Sequence, residues 1–141
     1  MILFLILVFN VMISEVINEE TALDVGQNFF YSKNNREYTE YRYSDIYLLN
    51  HNQENIFYII YLEPNGFILV STDDLIMPIL GYSFENNFRM DEFPANIDYL
   101  FDLFTDELVN ERINNEQRSQ VRIEWNKFSS YVEYEDQLRT V

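Results

Sequence analysis

The 141-residue chain contains no cysteine and a single histidine. Disulfides, thiolate metal sites and redox motifs are therefore excluded, and no Cys–His nucleophilic pair can be assembled from it. Glycine and proline are scarce, three of each, so they punctuate elements and build no linker. Only nine residues are Lys or Arg, against 24 Asp and Glu, for a formal net charge of -15. That balance speaks against nucleic acid, whose phosphates attract cations, and against an anionic membrane surface for the mature form. It fits a partner less acidic than the chain itself, or acidity that serves solubility alone. No zinc, calcium, phosphate-loop or hydrolase motif is present, so no metal or cofactor is expected.

Basic residues are also missing before Lys33. Residues 1–13 are apolar except for Asn10. As a helix they would reach roughly 20 Å, short of the ~30 Å hydrocarbon core. Residues 1–14 read as a secretory signal peptide, which implies a secreted or periplasmic protein. They lack a basic start and an Ala-x-Ala cleavage pattern, and the competing reading is a buried apolar segment. Residues 15–141 are expected to form one domain, long enough for a single core. With 48% apolar and 17% aromatic residues, the chain is not disordered despite its charge.

Thr21 followed by Asp24 fits a capping pattern, and Ala22, Val25, Phe29 and Phe30 share a helical face. They predict a helix over 21–32, ended by the polar cluster 32–36. Residues 37–44 read as an extended connector, 46–49 as a short strand and 51–55 as a turn or loop. Residues 56–62 are β-branched and aromatic on both faces, the mark of a central strand. Glu63-Pro64-Asn65-Gly66 is a hairpin signal, since Asn and Gly tolerate positive φ. Strands follow over 67–72 and 78–83, then a turn over 85–87.

Ile97, Leu100, Phe101, Phe104 and Leu108 form one helical stripe behind Pro94-Ala95-Asn96. A last helix is predicted over 116–132, with Val121, Trp125, Phe128 and Val132 on one side. Residues 133–141 read as a polar, mobile tail. The order of elements predicts an α+β fold, an antiparallel sheet of three to four strands with helices packed on one face.

Four blocks, taken in order, carry a likeness. They are Ala22, Val25 and Phe29; then Gly66-Phe67-Ile68-Leu69-Val70-Ser71-Thr72-Asp73-Asp74; then Pro78-Ile79-Leu80-Gly81-Tyr82-Ser83; and, after a turn ending in Phe88, Pro94-Ala95-Asn96-Ile97. Each is weak alone, but their order and spacing are specific. From about residue 22 to 108 the chain resembles the propeptide and Spi inhibitor domain of streptopain-type cysteine proteases.

The resemblance implies a protein of secreted bacterial protease systems that covers a protease's active-site cleft and performs no catalysis. Its partner would be a streptopain-like cysteine protease. A stand-alone inhibitor, a propeptide parted from its zymogen (a folding chaperone), and a secreted interaction module unrelated to proteolysis all fit the chain. The family's Asn beside the catalytic histidine matches Asn96. Two departures, Gly26 for the usual Ala and Asn86-Asn87 where a Gly is common, bear on folding more than on function.

Candidate site residues have plainer readings beside the functional ones. Asn96 is suited to hydrogen bond an imidazole, and it is equally suited to cap the helix behind it. Phe93, Pro94, Ala95 and Ile97 would complete the contact loop, or pack the helix start with Phe93 as a staple. Asp73 and Asp74 lack a partner base or nucleophile and are expected to bond nearby backbone amides. His51 is expected to be a solvated loop histidine. Trp125 and Phe128 are expected in the core, the competing reading being an exposed interface patch if the last helix detaches.

Overall fold

Asn18 stands where the chain turns from extended to helical, and its side-chain oxygen accepts the Thr21 amide at 2.8 Å. This computed structural model describes residues 16–34, 41–51, 53–88, 102, 106 and 118–130. Helix α1 spans Glu19–Lys33. Its cap is Asn18, not the expected Thr21, because an Asn at this position reaches the third helical amide and leaves Glu19 and Glu20 in the first turn, where the helix dipole favours anions. Asn34 closes the other end, its backbone and side-chain N–H both donating to the Phe30 carbonyl.

Four strands follow: β1, Tyr43–His51; β2, Glu54–Leu62; β3, Phe67–Ser71; and β4, Ile79–Ser83. They pair antiparallel in the order β1-β2-β3-β4. A second described helix, α2, spans Arg118–Ser129. This is the predicted α+β architecture with four strands.

Strand β1 is longer than its local pattern suggested. Pairing with β2 extends from Tyr43 opposite Leu62 to His51 opposite Glu54. The expected loop over 51–55 thereby shrinks to a tight turn with Gln53 at φ 70°. Between β2 and β3, the Leu62 amide donates to the Gly66 carbonyl at 2.9 Å. Gly66 has φ +120°, and a Cβ there would stand 2.6 Å from the Ser83 carbonyl oxygen. Only glycine meets both demands. The Gly66 amide donates to Asn87 Oδ1 at 2.9 Å, so one of the two asparagines departing from the family pattern secures this turn.

Alternation along the strands sends side chains to two faces. Tyr58, Ile60, Leu62, Ile68 and Val70 meet Ala22, Val25, Phe29 and Phe30 of α1 and Val121, Trp125 and Phe128 of α2. Both described helices therefore share one face, as expected. Each large apolar side chain buried there contributes about 1.5–3 kcal/mol. Phe57, Ile59 and Leu69 form a second buried cluster on the other face, with Ile76 and Leu49. Burial on both faces accounts for the uninterrupted apolar run of β2.

Gly26 lets α1 approach the sheet closely. A Cβ at this position would stand 2.6 Å from Ile60 Cδ1 in the fully buried heart of the core. The Gly in place of the family's usual Ala thus belongs to the packing of α1 on β2.

Candidate functional site

The block Gly66 to Asp74 becomes β3 and the turn that ends it, and the block Pro78 to Ser83 becomes the edge strand β4. Asp73 is buried. Its Oδ1 accepts the Leu75 amide at 2.9 Å, and its own amide donates to Ser71 Oγ at 3.1 Å. Its carbonyl accepts the Ile76 amide at 3.2 Å. The expected role of this aspartate, bonding local backbone, is what the turn contains. The turn in turn presents the Ile76 carbonyl to Trp125 Nε1, which donates at 2.7 Å. Trp125 and Phe128 are buried as expected, and the Phe128 carbonyl accepts a short hydrogen bond from Asn28 Nδ2.

A cleft of about 450 Å³ opens beside β4, between the C-terminal ends of α1 and α2. Phe29 and Phe128 form part of its wall and meet edge-to-face at 5.5 Å, and Tyr82 meets Phe29 at 4.8 Å in the same manner. Tyr82 is 45% exposed. Lys33 Nζ stands 5.6 Å from the Phe29 ring centroid and 5.8 Å from that of Tyr82. Lys127 Nζ lies 4.7 Å from the Phe128 centroid and 3.3 Å from Glu124 Oε2. These are the only two lysines of the chain, and both line this cleft. Sequence reasoning missed the convergence, since Lys33 and Lys127 lie on different helices and no local pattern relates them.

His51 departs from its expectation as a solvated loop residue. It ends β1 with its side chain 15% exposed, and its Nε2 lies 2.8 Å from Asp102 Oδ1. The turn that shortened the loop also drew the ring into the protein. Asp102 and Asp106, both in the stretch expected to form the helix behind Asn96, are helical and exposed. The predicted contact residues Phe93, Pro94, Ala95, Asn96 and Ile97 lie outside the described residues, as does Val132.

Near the start of β1, Tyr41 packs among the rings of Phe30, Tyr31 and Tyr43. Its hydroxyl is buried without a hydrogen-bond partner among the described residues. Burial first, and then the neighbouring Tyr43 and Tyr31, push this phenol well above the usual tyrosine range. Among the described residues no group of His, Asp and Glu side chains is arranged to hold a metal ion. Nor is any described helix long and apolar enough to cross a membrane.

A family model described as Spi protease inhibitor matches residues 14–108, which span α1, the whole sheet and the segment holding residues 93–97. Neither the curated proteins nor the solved structures give a match.

Proposed function

Because the chain belongs to the Spi protease inhibitor family, we propose that the protease it restrains is a streptopain-like cysteine protease of papain fold, and that it does so by filling the active-site cleft. A protease inhibitor has a protease as its partner, and the mode proposed here is steric. Asn96 hydrogen bonds the catalytic imidazole of the protease, and Phe93, Pro94, Ala95 and Ile97 form the loop that carries it in. The chain contributes no nucleophile, base or metal of its own. It works outside the cytoplasm, secreted or periplasmic, in keeping with the apolar residues 1–13.

The observation that carries this reading is the family match over 14–108, which takes in the whole sheet and the Asn96 segment together. A second observation supports it. Asp102, in the stretch predicted to follow Asn96 as a helix, is helical and bonded to His51 at the end of β1. That bond joins Asp102 to the end of β1, and contacts already made in the free chain keep down the ordering cost of binding.

Titrating the purified chain into a mature streptopain-type protease tests the proposal. Hydrolysis is expected to fall to zero at micromolar or lower inhibitor. Asn96→Ala is expected to weaken inhibition by about tenfold or more, as removal of a central anchor does. If hydrolysis persists throughout the titration, the proposal is wrong. If Asn96→Ala inhibits as well as the parent chain, the role given to Asn96 is wrong.

A further inference from the structure

The alternation of hydrogen bonds across the sheet identifies which backbone groups its two edges turn outward. Leu62 donates to Gly66, so Ile60 with Ile68, and Tyr58 with Val70, are the next bonded pairs of the β2–β3 ladder. Ile60 and Tyr58 therefore direct their N–H and C=O toward β3. Their neighbours across the β1–β2 ladder, Ile46 and Leu48, direct theirs away from the sheet. By the same rule Tyr82, opposite Ile68, turns its N–H and C=O outward from β4.

At β1 one outward group of each residue is met by the strand's own side chains. The Ile46 amide donates to Asp45 Oδ1 at 2.9 Å, and the Leu48 carbonyl accepts from Asn50 Nδ2 at 3.2 Å. At β4 no described residue meets the outward amide and carbonyl of Tyr82. An edge left in this state is a template for another strand.

The charge beside that edge says what kind of strand. In a chain of net charge -15, the two lysines flank the cleft next to β4. Lys127 is held by Glu124, while the Lys33 ammonium stands over two aromatic rings and has no carboxylate partner among the described residues. An acidic segment finds its complement there and is repelled by most of the remaining surface.

We propose that β4 receives an extended segment of the target protease as an added strand, with a carboxylate side chain of that segment seated at Lys33 and its backbone bonded to Tyr82. This rests on the reading that the chain inhibits a protease, and it adds a contact surface separate in sequence from residues 93–97.

The test compares inhibition of the same protease by the parent chain and by Lys33→Glu, Tyr82→Ala and Tyr82→Pro, each checked for folding by circular dichroism. Lys33→Glu is expected to raise the inhibition constant about tenfold or more, through charge reversal at a desolvated contact. Tyr82→Ala removes the ring but keeps the amide, whereas Tyr82→Pro also removes the outward N–H and leaves the bonds to β3 in place. Strand addition requires the proline variant to inhibit less well than the alanine variant. Hydrogen exchange supplies a readout without substitution, since the Tyr82 amide is expected to be protected in the complex and not in the free chain.

If the parent chain inhibits while Lys33→Glu is unaffected and the Tyr82 amide stays unprotected, the strand proposal falls and the inhibitor reading stands. If the parent chain does not inhibit, both fall together. A free chain that dimerises, and is returned to monomer by Tyr82→Pro, would identify a second copy as the occupant and overturn the proposal.

Discussion

At one edge of the sheet Asp45 and Asn50 fold back onto the backbone of β1; at the other, Tyr82 of β4 faces outward beside two lysines and a cluster of aromatic rings. The two strands share a sheet and a pairing rule, yet they present opposite surfaces to a partner. The first carries Asp45 and Asn50, which meet the Ile46 amide and the Leu48 carbonyl. The second is short and cationic at its flank, and it is backed by Phe29, Phe84 and Phe128. Short polar side chains placed next to outward backbone groups compete with an added strand for those groups. Ile79-Leu80-Gly81-Tyr82 carries none, and Ser83 Oγ accepts the Glu85 and Asn86 amides of the following turn, which leaves the outward groups of Tyr82 open to pairing.

Removing the support beneath β4 is the largest perturbation of that contrast. Phe29 is buried and touches Tyr82, Phe84 and Phe128 together. Phe29→Ala is expected to cost about 3–5 kcal/mol in denaturant unfolding, from lost burial and the cavity left behind. A cost under about 1 kcal/mol would show that the aromatic backing of β4 is not part of the core.

A smaller effect of opposite sign is expected at the β1 end. The Tyr41 hydroxyl is buried without a partner among the described residues, so Tyr41→Phe is expected to raise stability by about 1 kcal/mol. The same group sets a pH dependence. Its phenol is raised in the folded chain by burial, then by Tyr43 and Tyr31. The unfolded phenol ionises near its ordinary value of about 10, so above that pH the unfolded chain binds fewer protons and stability falls. Below it the contribution is fully present. Tyr41→Phe is expected to flatten the alkaline loss in thermal unfolding between pH 9 and 11. Tyr58, also raised, first by burial and then by Glu19, retains its share of the slope. An unchanged alkaline slope in Tyr41→Phe would mean that the ring relaxes into water before it ionises.

The smallest change in stability is expected from opening β1. Asp45→Ala combined with Asn50→Ala exposes its outward groups at a cost within about 1 kcal/mol, since both side chains lie at the surface. Sedimentation velocity is expected to show self-association of this variant at concentrations where the parent is monomeric. If the variant stays monomeric, side-chain closure is not what distinguishes the two edges.

Much of this architecture was written in local pattern. The apolar run of β2 announced a central strand, Asn65-Gly66 announced a turn, and Val121, Trp125 and Phe128 announced one buried helical face. The contact role proposed for Asn96 and its neighbours came only through likeness to a family, because an Asn at a helix start reads the same whether it caps or binds. His51 was misread because a histidine among Asn, Gln and Glu looks like loop. Its partner Asp102 is far away in sequence and entered only when β1 and β2 closed into a tight hairpin.

The amino-acid sequence on its own determined the periodicities, the turn chemistry, the acidity and the lack of any thiol, since each is a property of neighbours along the chain. Tertiary structure alone decided which strands became edges, which edge has outward groups met by its own side chains, and that the two lysines line one cleft beside the other. Those outcomes depend on strand order and register, which bring together groups that share no local signal.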